Sequence, residues 1–207
     1  MRPSRCLVLA DAIRACTLCP LASKQEPGAH HVPATVGARY QPGGIAVVFD
    51  APTYYDAKEG HYLAGKNGAL FDTLAAEAGL SRDDLVLIGS ARCRPPGNRL
   101  RDYPEALANC ATWTTQELDL YQPKVLVLMG SEAIKTGFGA EATVARSRGK
   151  YIATPAKHPW GWRVVTAAYN PAAAAFAGGA DSDIGRQTVA DLAGAKGALE
   201  LLKGVSI

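Results

Sequence analysis

The chain has 207 residues, 48% of them hydrophobic, and a formal charge of +3. That length suits one domain, 1–207, with a sizeable core, and so small a charge neither demands nor excludes nucleic acid. No apolar stretch approaches the roughly 18 residues of a membrane span, and Asp11 and Arg14 interrupt the apolar run from Cys6 to Ala10 in a way that argues against a signal peptide.

Residues 4–15 read as a short helix leading into Cys16 and Cys19, a C-x2-C pair. Residues 24–43 carry Pro27, Gly28, Pro33, Gly37, Pro42 and Gly43 and read as a loop-rich crossover. Ile45 to Phe49 is apolar throughout, a buried strand. Ala69 to Ala78 is a helix with Leu70, Phe71, Leu74 and Ala78 on one face and Gly79 as its stop. Leu85 to Ile88 is a second strand. Pro104 to Leu120 is a second long helix, with Leu107, Cys110, Thr114 and Leu118 on one face. Val125 to Met129 is a third strand, and a short helix starts at Ser131. Tyr151 to Ala153 and Val164 to Tyr169 are later strands. The alanines of 172–175 start a helix, and 184–203 form a last one with Val189, Leu192, Leu199 and Leu202 at helical spacing. His158, in His-Pro-Trp, reads as part of a turn.

Apolar strands alternating with helices predict a three-layer α/β/α fold around a central, mostly parallel, four-stranded sheet. In such sheets ligands bind beyond the carboxyl ends of the strands. That rule selects Asp50–Thr53, Gly89–Arg92 and Asn170–Pro171.

Cys16 and Cys19 pair with Cys93 and Cys110, a C-x16-C, as one four-thiolate site that clips residues 1–43 to the core. Thiolates suit zinc or an iron–sulfur cluster and suit magnesium or calcium poorly. With no secretion signal, the expected setting is cytoplasmic and reducing, where clustered cysteines read as metal ligands rather than disulfides. Cys6 reads as a separate buried thiol. Basic residues gather in two runs, Arg92, Arg94, Arg99 and Arg101, and Arg146, Arg148 and Lys150. Such runs are either solvated surface or anion-binding loops.

The strand-end segments and the cysteines together resemble the iron–sulfur uracil-DNA glycosylases of family 4. Phe49-Asp50-Ala51-Pro52-Thr53 stands where the family has G-E-A/G-P-G, and Gly60 to Gly68 where it has G-x-P-F-V-G-x-A-G. Ile88 to Arg99 matches T-N-x-x-K-C-R-P-P-x-N-R, and Pro123 to Gly130 matches the P-x-x-x-x-x-L-G stretch. Arg148-Gly149-Lys150 matches R-G-K, and Asn170 to Phe176 aligns with H-P-S/A-x-x-L-R. The resemblance implies a [4Fe–4S] cluster on Cys16, Cys19, Cys93 and Cys110, with zinc as the alternative, and Arg92 and Arg94 beside it to offset its negative charge. It also implies DNA as partner, single-stranded or duplex with a flipped base, a monomer and no membrane association.

The chemical positions depart from the family pattern. Leu63 replaces the stacking phenylalanine, Gly89 the asparagine that reads the base edge, and Asn170 the histidine that stabilises charge on the base. Ala175 and Phe176 replace the wedge leucine and its arginine. Asp50 replaces a glutamate; it is either the carboxylate that orients water or stabilises the sugar cation, or a structural acceptor for loop amides. Asp56 reads as a solvated loop acid. Ala51, Pro52, Thr53, Tyr55, Leu63 and Gly89 are expected around the substrate, and Arg148, Lys150 and Phe176 on DNA. Replacing phenylalanine by leucine and asparagine by glycine predicts an enlarged base pocket, suited to a pyrimidine with a bulky 5-substituent. Three activities follow from the resemblance: hydrolysis of an N-glycosidic bond, group transfer to hypermodified bases through the same flipping pocket, and DNA binding without catalysis.

Overall fold

The computed structural model describes residues 3–203; residues 1–2 and 204–207 lie outside the described residues. Six strands form one sheet in the order β1-β3-β2-β4-β6-β5. The four central strands are β2 (Ile45–Phe49), β3 (Leu85–Gly89), β4 (Val125–Met129) and β6 (Val164–Ala167), all mutually parallel. The predicted four-stranded core is therefore flanked by two antiparallel edges, β1 (Thr35–Val36) and β5 (Ile152–Ala153). Each edge has two residues, too few for a hydrophobic period, so β1 was hidden inside the loop-rich crossover.

Alternate residues of the central strands face opposite layers, as the two-residue repeat of a strand requires. Ile45, Val47, Phe49, Leu85, Leu87, Val125, Val127 and Met129 pack on one side against Phe71, Leu74, Ala174, Leu192 and Ala195. These come from α4 (Gly65–Glu77), α8 (Pro171–Phe176) and α9 (Asp183–Leu201). Ala46, Val48, Val86, Ile88, Leu126, Leu128, Val165 and Ala167 pack on the other side against Leu118, Tyr121, Ala133 and Ile134. These lie on α5 (Pro104–Tyr121) and α6 (Ser131–Phe138). Cys6, on α1 (Pro3–Arg14), is half-buried against this second layer and interacts with Tyr121.

Three short helices have no counterpart in the sequence prediction: α2 (Pro20–Ser23), α3 (Tyr54–Glu59) and α7 (Val144–Ser147). Of these, α3 matters most. Thr53 Oγ1 accepts from the Asp56 N–H while Asp56 Oδ2 accepts from the Thr53 N–H at 2.8 Å, a reciprocal capping box. Asp56 Oδ1 takes the Ala64 N–H at 2.8 Å, and the residue is 4% exposed. Asp56 is thus a buried structural acceptor that ties α3 to the start of α4, not the solvated acid expected.

One buried ion pair underlies the site. Arg92 Nη2 lies 2.6 Å from Glu117 Oε2, with both side chains 1% exposed, and also donates to Thr114 Oγ1 at 3.2 Å. Glu117 Oε1 accepts the Ala34 N–H at 2.7 Å. Replacing Glu117 by Ala would strand the guanidinium in the core, so a loss of about 3–5 kcal/mol in denaturant melts is expected. A loss under 1 kcal/mol would mean that Arg92 finds another anion.

Candidate active site at the strand ends

The sheet registers Phe49 opposite both Gly89 and Met129, so the carboxyl ends of β2, β3 and β4 are level. The chain leaves β2 towards β3 on one side and leaves β4 towards β6 on the other. The following helices, α4 and α6, cover opposite faces. The crevice between the ends of β2 and β4 is therefore the topological switch point, where open α/β sheets bind ligands.

Asp50 occupies that crevice. Its Oδ1 accepts the N–H groups of Glu132 and Ala133, both at 2.9 Å, at the amino end of α6. Gly130 makes this approach possible. Its φ is +144°, and a Cβ there would fall 2.3 Å from Asp50 Oδ1. Burial holds the Asp50 carboxyl above the ordinary carboxylate range, and the α6 amides only partly offset that. Across the crevice Asn170 is the N-cap of α8, its Oδ1 taking the Ala173 N–H at 2.8 Å. That bond fixes the amide so that Nδ2 is the group left to donate.

Two cavities meet at these side chains. The inner one, about 100 Å³, includes Phe49, Tyr62, Leu63, Asn67 and Met129 in its wall. The outer cleft, about 810 Å³, is rimmed by Lys66, Arg99, Arg101, Tyr55 and Phe176. Asp50, Ala51, Thr53 and Asn170 line both, and Pro52 lines the cleft. Leu63 has a φ of +60°, a left-handed conformation for a branched residue, held by the Arg82 guanidinium on its carbonyl at 2.9 Å. Phe176 is 94% exposed on the cleft's rim.

Gly89 lines neither cavity, and its missing side chain opens no room for a ligand. A Cβ on Gly89 would meet Tyr62 Oη at 2.1 Å. The Tyr62 ring stacks on Phe49 with centroids 5.9 Å apart, and its hydroxyl donates to the Ala91 carbonyl at 3.2 Å. Tyr62 fills the space that a side chain at residue 89 would need. The sequence prediction combined residues 63 and 89 but did not include residue 62, which occupies the space beside Gly89. Its signal was the tyrosine at a position where the family motif has proline.

The two basic runs separate. Arg99 and Arg101 face the cleft, whereas Arg92 is core and Arg94 bonds to Glu26 and Asn98. Arg148 is held by Asp191 at 2.9 Å and by the Gln187 carbonyl at 3.1 Å, over the Tyr169 ring. Lys150 is exposed, and neither Arg148 nor Lys150 lines the cleft. His158 sits in a turn, as expected, its Nδ1 accepting the Trp160 N–H at 3.1 Å.

The cysteines converge on one apolar nest. Cys93 and Cys110 share a buried cluster with Leu21, Ala91, Leu100 and Ala106, and Cys19 packs against it. Trp113 Nε1 donates to Cys16 Sγ at 3.4 Å. Burial and the three neighbouring cysteines push the Cys93 thiol up to about 12, and burial raises Cys110 as well. Among the described residues no group of three or more His, Cys, Asp or Glu is placed to hold a single metal ion. Arg92 Nε and Nη1 are buried without a hydrogen-bond partner, and the guanidinium interacts with Cys110.

A carboxylate and a carboxamide stand at the switch point of a doubly wound α/β protein, below a cleft that Lys66, Arg99 and Arg101 line. The chain belongs to the uracil DNA glycosylase superfamily, whose profile matches residues 44–192. It is 29% identical over 173 residues to a Type-4 uracil-DNA glycosylase of Archaeoglobus fulgidus, covering 81% of this chain and 83% of that protein. It is 27% identical over 146 residues to the Type-4 uracil-DNA glycosylase of Thermotoga maritima, covering 70% and 72%. A third such protein, from Sulfurisphaera tokodaii, is 29% identical over 152 residues, covering 69% and 66%. Among the described residues no helix is long and apolar enough to cross a membrane.

Proposed function

We propose that this protein hydrolyses the N-glycosidic bond of uracil, or of another altered base of similar size, in DNA. The observation that carries this reading is that Asp50 and Asn170 line both the inner cavity and the outer cleft. A strand in the cleft would be met by Lys66, Arg99 and Arg101, and an extruded base would enter the inner cavity. Ionised Asp50 orients a water or stabilises the positive charge that develops on the sugar. Asn170 Nδ2 donates to the carbonyl of the departing base, a preorganised contact to developing negative charge. No lysine nucleophile is required. Phe176, exposed on the cleft's rim, would fill the gap an extruded nucleotide leaves. Its relatives are uracil-DNA glycosylases, which favours uracil as the base. Tyr62, stacked on Phe49 in the wall of the inner cavity, argues against a pyrimidine with a bulky 5-substituent.

We assign Cys16, Cys19, Cys93 and Cys110 to a [4Fe–4S] cluster. Cys19, Cys93 and Cys110 share one nest, Cys16 lies beside it through Trp113, and a set of four thiols is the ligand chemistry of such a cluster. The unpartnered N–H groups of Arg92 offer donors to a negatively charged group at that place. When bound, the cluster ties the N-terminal segment to β3 and α5; the hydrolytic steps belong to the side chains. Purified protein is expected to carry about four irons per chain and a visible absorbance band, and Cys93→Ala to lose both. Stoichiometric zinc without iron would overturn the assignment.

Incubation with uracil-containing DNA, single-stranded and duplex, tests the activity. Released uracil with alkali-labile abasic sites is expected. A mass change in the base without abasic sites would instead indicate group transfer, and salt-dependent retention of unchanged DNA would indicate binding alone.

A further inference from the structure

A second cavity, about 530 Å³, lies back to back with the cleft. Two ridges separate them. The first is α3, whose Tyr54 lines both cavities while Tyr55 faces the cleft and Ala57 and Lys58 face the second cavity. The second is the 94–99 loop: Pro95, Asn98 and Arg99 face the cleft, and Arg94, Pro96 and Gly97 face the second cavity. The far wall is the segment Lys24–Ala29.

This cavity has a held framework and a cationic lining. Gln25 bridges its walls, accepting the Arg94 N–H at 3.1 Å and donating to the Arg94 carbonyl at 3.0 Å. Arg94 pairs with Glu26 at 2.7 Å and lies over the Tyr54 ring, 5.4 Å from its centroid. Lys24, Lys58 and Arg94 outnumber the one acid, Glu26. Lys24 and Lys58 are exposed, and neither makes an ion pair with a carboxylate among the described residues. An aromatic shared with a neighbouring cleft, cations beyond it and no base-specific donor array are the parts of a site for a single nucleic-acid strand.

We propose that this cavity is a subsite for a nucleotide flanking the extruded one, taking its phosphate on Lys24 and Lys58 and its base against Tyr54. The strand would cross the Tyr54 ridge from cleft to cavity. This rests on the reading of the cleft as a DNA site. The subsite would be indifferent to sequence, and it would make affinity grow with strand length on one side of the target base only.

The test uses full-length, cluster-loaded protein and fluorescent oligothymidylates that hold one uracil, extended nucleotide by nucleotide on either side. Binding is followed by anisotropy at several salt concentrations. For Lys24→Gln/Lys58→Gln the slope of log affinity against log salt is expected to fall by about 0.7, the value for one phosphate contact on a single strand. The one-sided gain with length should shrink with it, and so should that of Tyr54→Leu, which leaves every charge in place. An unchanged slope and an unchanged length profile in both variants would overturn the subsite. Uracil release from the shortest oligonucleotide, measured in parallel, separates the two proposals. Release without any effect of the variants leaves the cleft reading standing alone; variant effects on binding without release leave the subsite standing and remove the glycosylase reading.

Discussion

Asp50→Asn is expected to lower base release by about 10²–10⁴-fold, the range for loss of a positioned general base, and to leave thermal stability equal or higher. The second half follows from the environment of the carboxylate. Burial holds its folded pKa above the unfolded value, so ionisation opposes folding. The favourable contribution of this group is complete below the ordinary aspartate range and is lost as pH rises through the raised value. Asn keeps an oxygen for the Glu132 and Ala133 N–H groups and carries no charge. The same shift sets the rate profile. If the ionised form works, kcat/KM climbs with pH through a value above the usual carboxylate range, and that limb disappears in Asp50→Asn. Calorimetry with a pH–rate series measures both. An active Asn variant, or one whose melting temperature drops by several degrees, would assign Asp50 to holding α6 and nothing more.

The second large effect concerns Tyr62 and Gly89. Gly89→Asn introduces the amide that reads the base edge in family 4, yet it should impair folding rather than improve excision. Its Cβ would lie 2.1 Å from Tyr62 Oη and 2.5 Å from the Ala91 carbonyl oxygen. Overpacking of this kind costs about 1–3 kcal/mol or more. Tyr62→Ala relieves only the first contact and empties a buried aromatic site, for a loss of about 3–5 kcal/mol. In return the inner cavity widens beside Phe49. Wild-type protein should release uracil and reject pyrimidines with a bulky 5-substituent, and Tyr62→Ala should narrow that ratio in single-turnover assays. Wild-type release of a bulky 5-substituted base faster than uracil would show that Tyr62 does not limit the pocket.

The longer elements were legible because they are buried. Ile45–Phe49 and Val125–Met129 are apolar at every position since both faces of those strands are covered. The helix at Pro104–Tyr121 was legible from its apolar face and its proline start. The short α3 was not, although Thr53 and Asp56 sit at capping-box spacing with aspartate in place of the usual glutamate. Asp50 and Asn170 were picked out by a rule about strand ends, which needs only the positions where apolar runs stop. Tyr62 escaped because no local pattern tells that its hydroxyl will reach the loop after β3.

Sequence by itself determined the layered α/β fold and where its long strands stop, because each rests on local periodicity. Tertiary structure alone decided which charges reach the cleft. Arg92 and Arg99 belong to one run in the chain, but β3 carries the first into the core against Glu117 while the loop turns the second into the cleft. It also decided how the inner cavity is walled, since Phe49 and Tyr62 line it from separate segments and Tyr62 fills the space beside Gly89. Packing is a property of neighbours in space, and nothing in a one-dimensional pattern fixes which side chain occupies a gap that another has left.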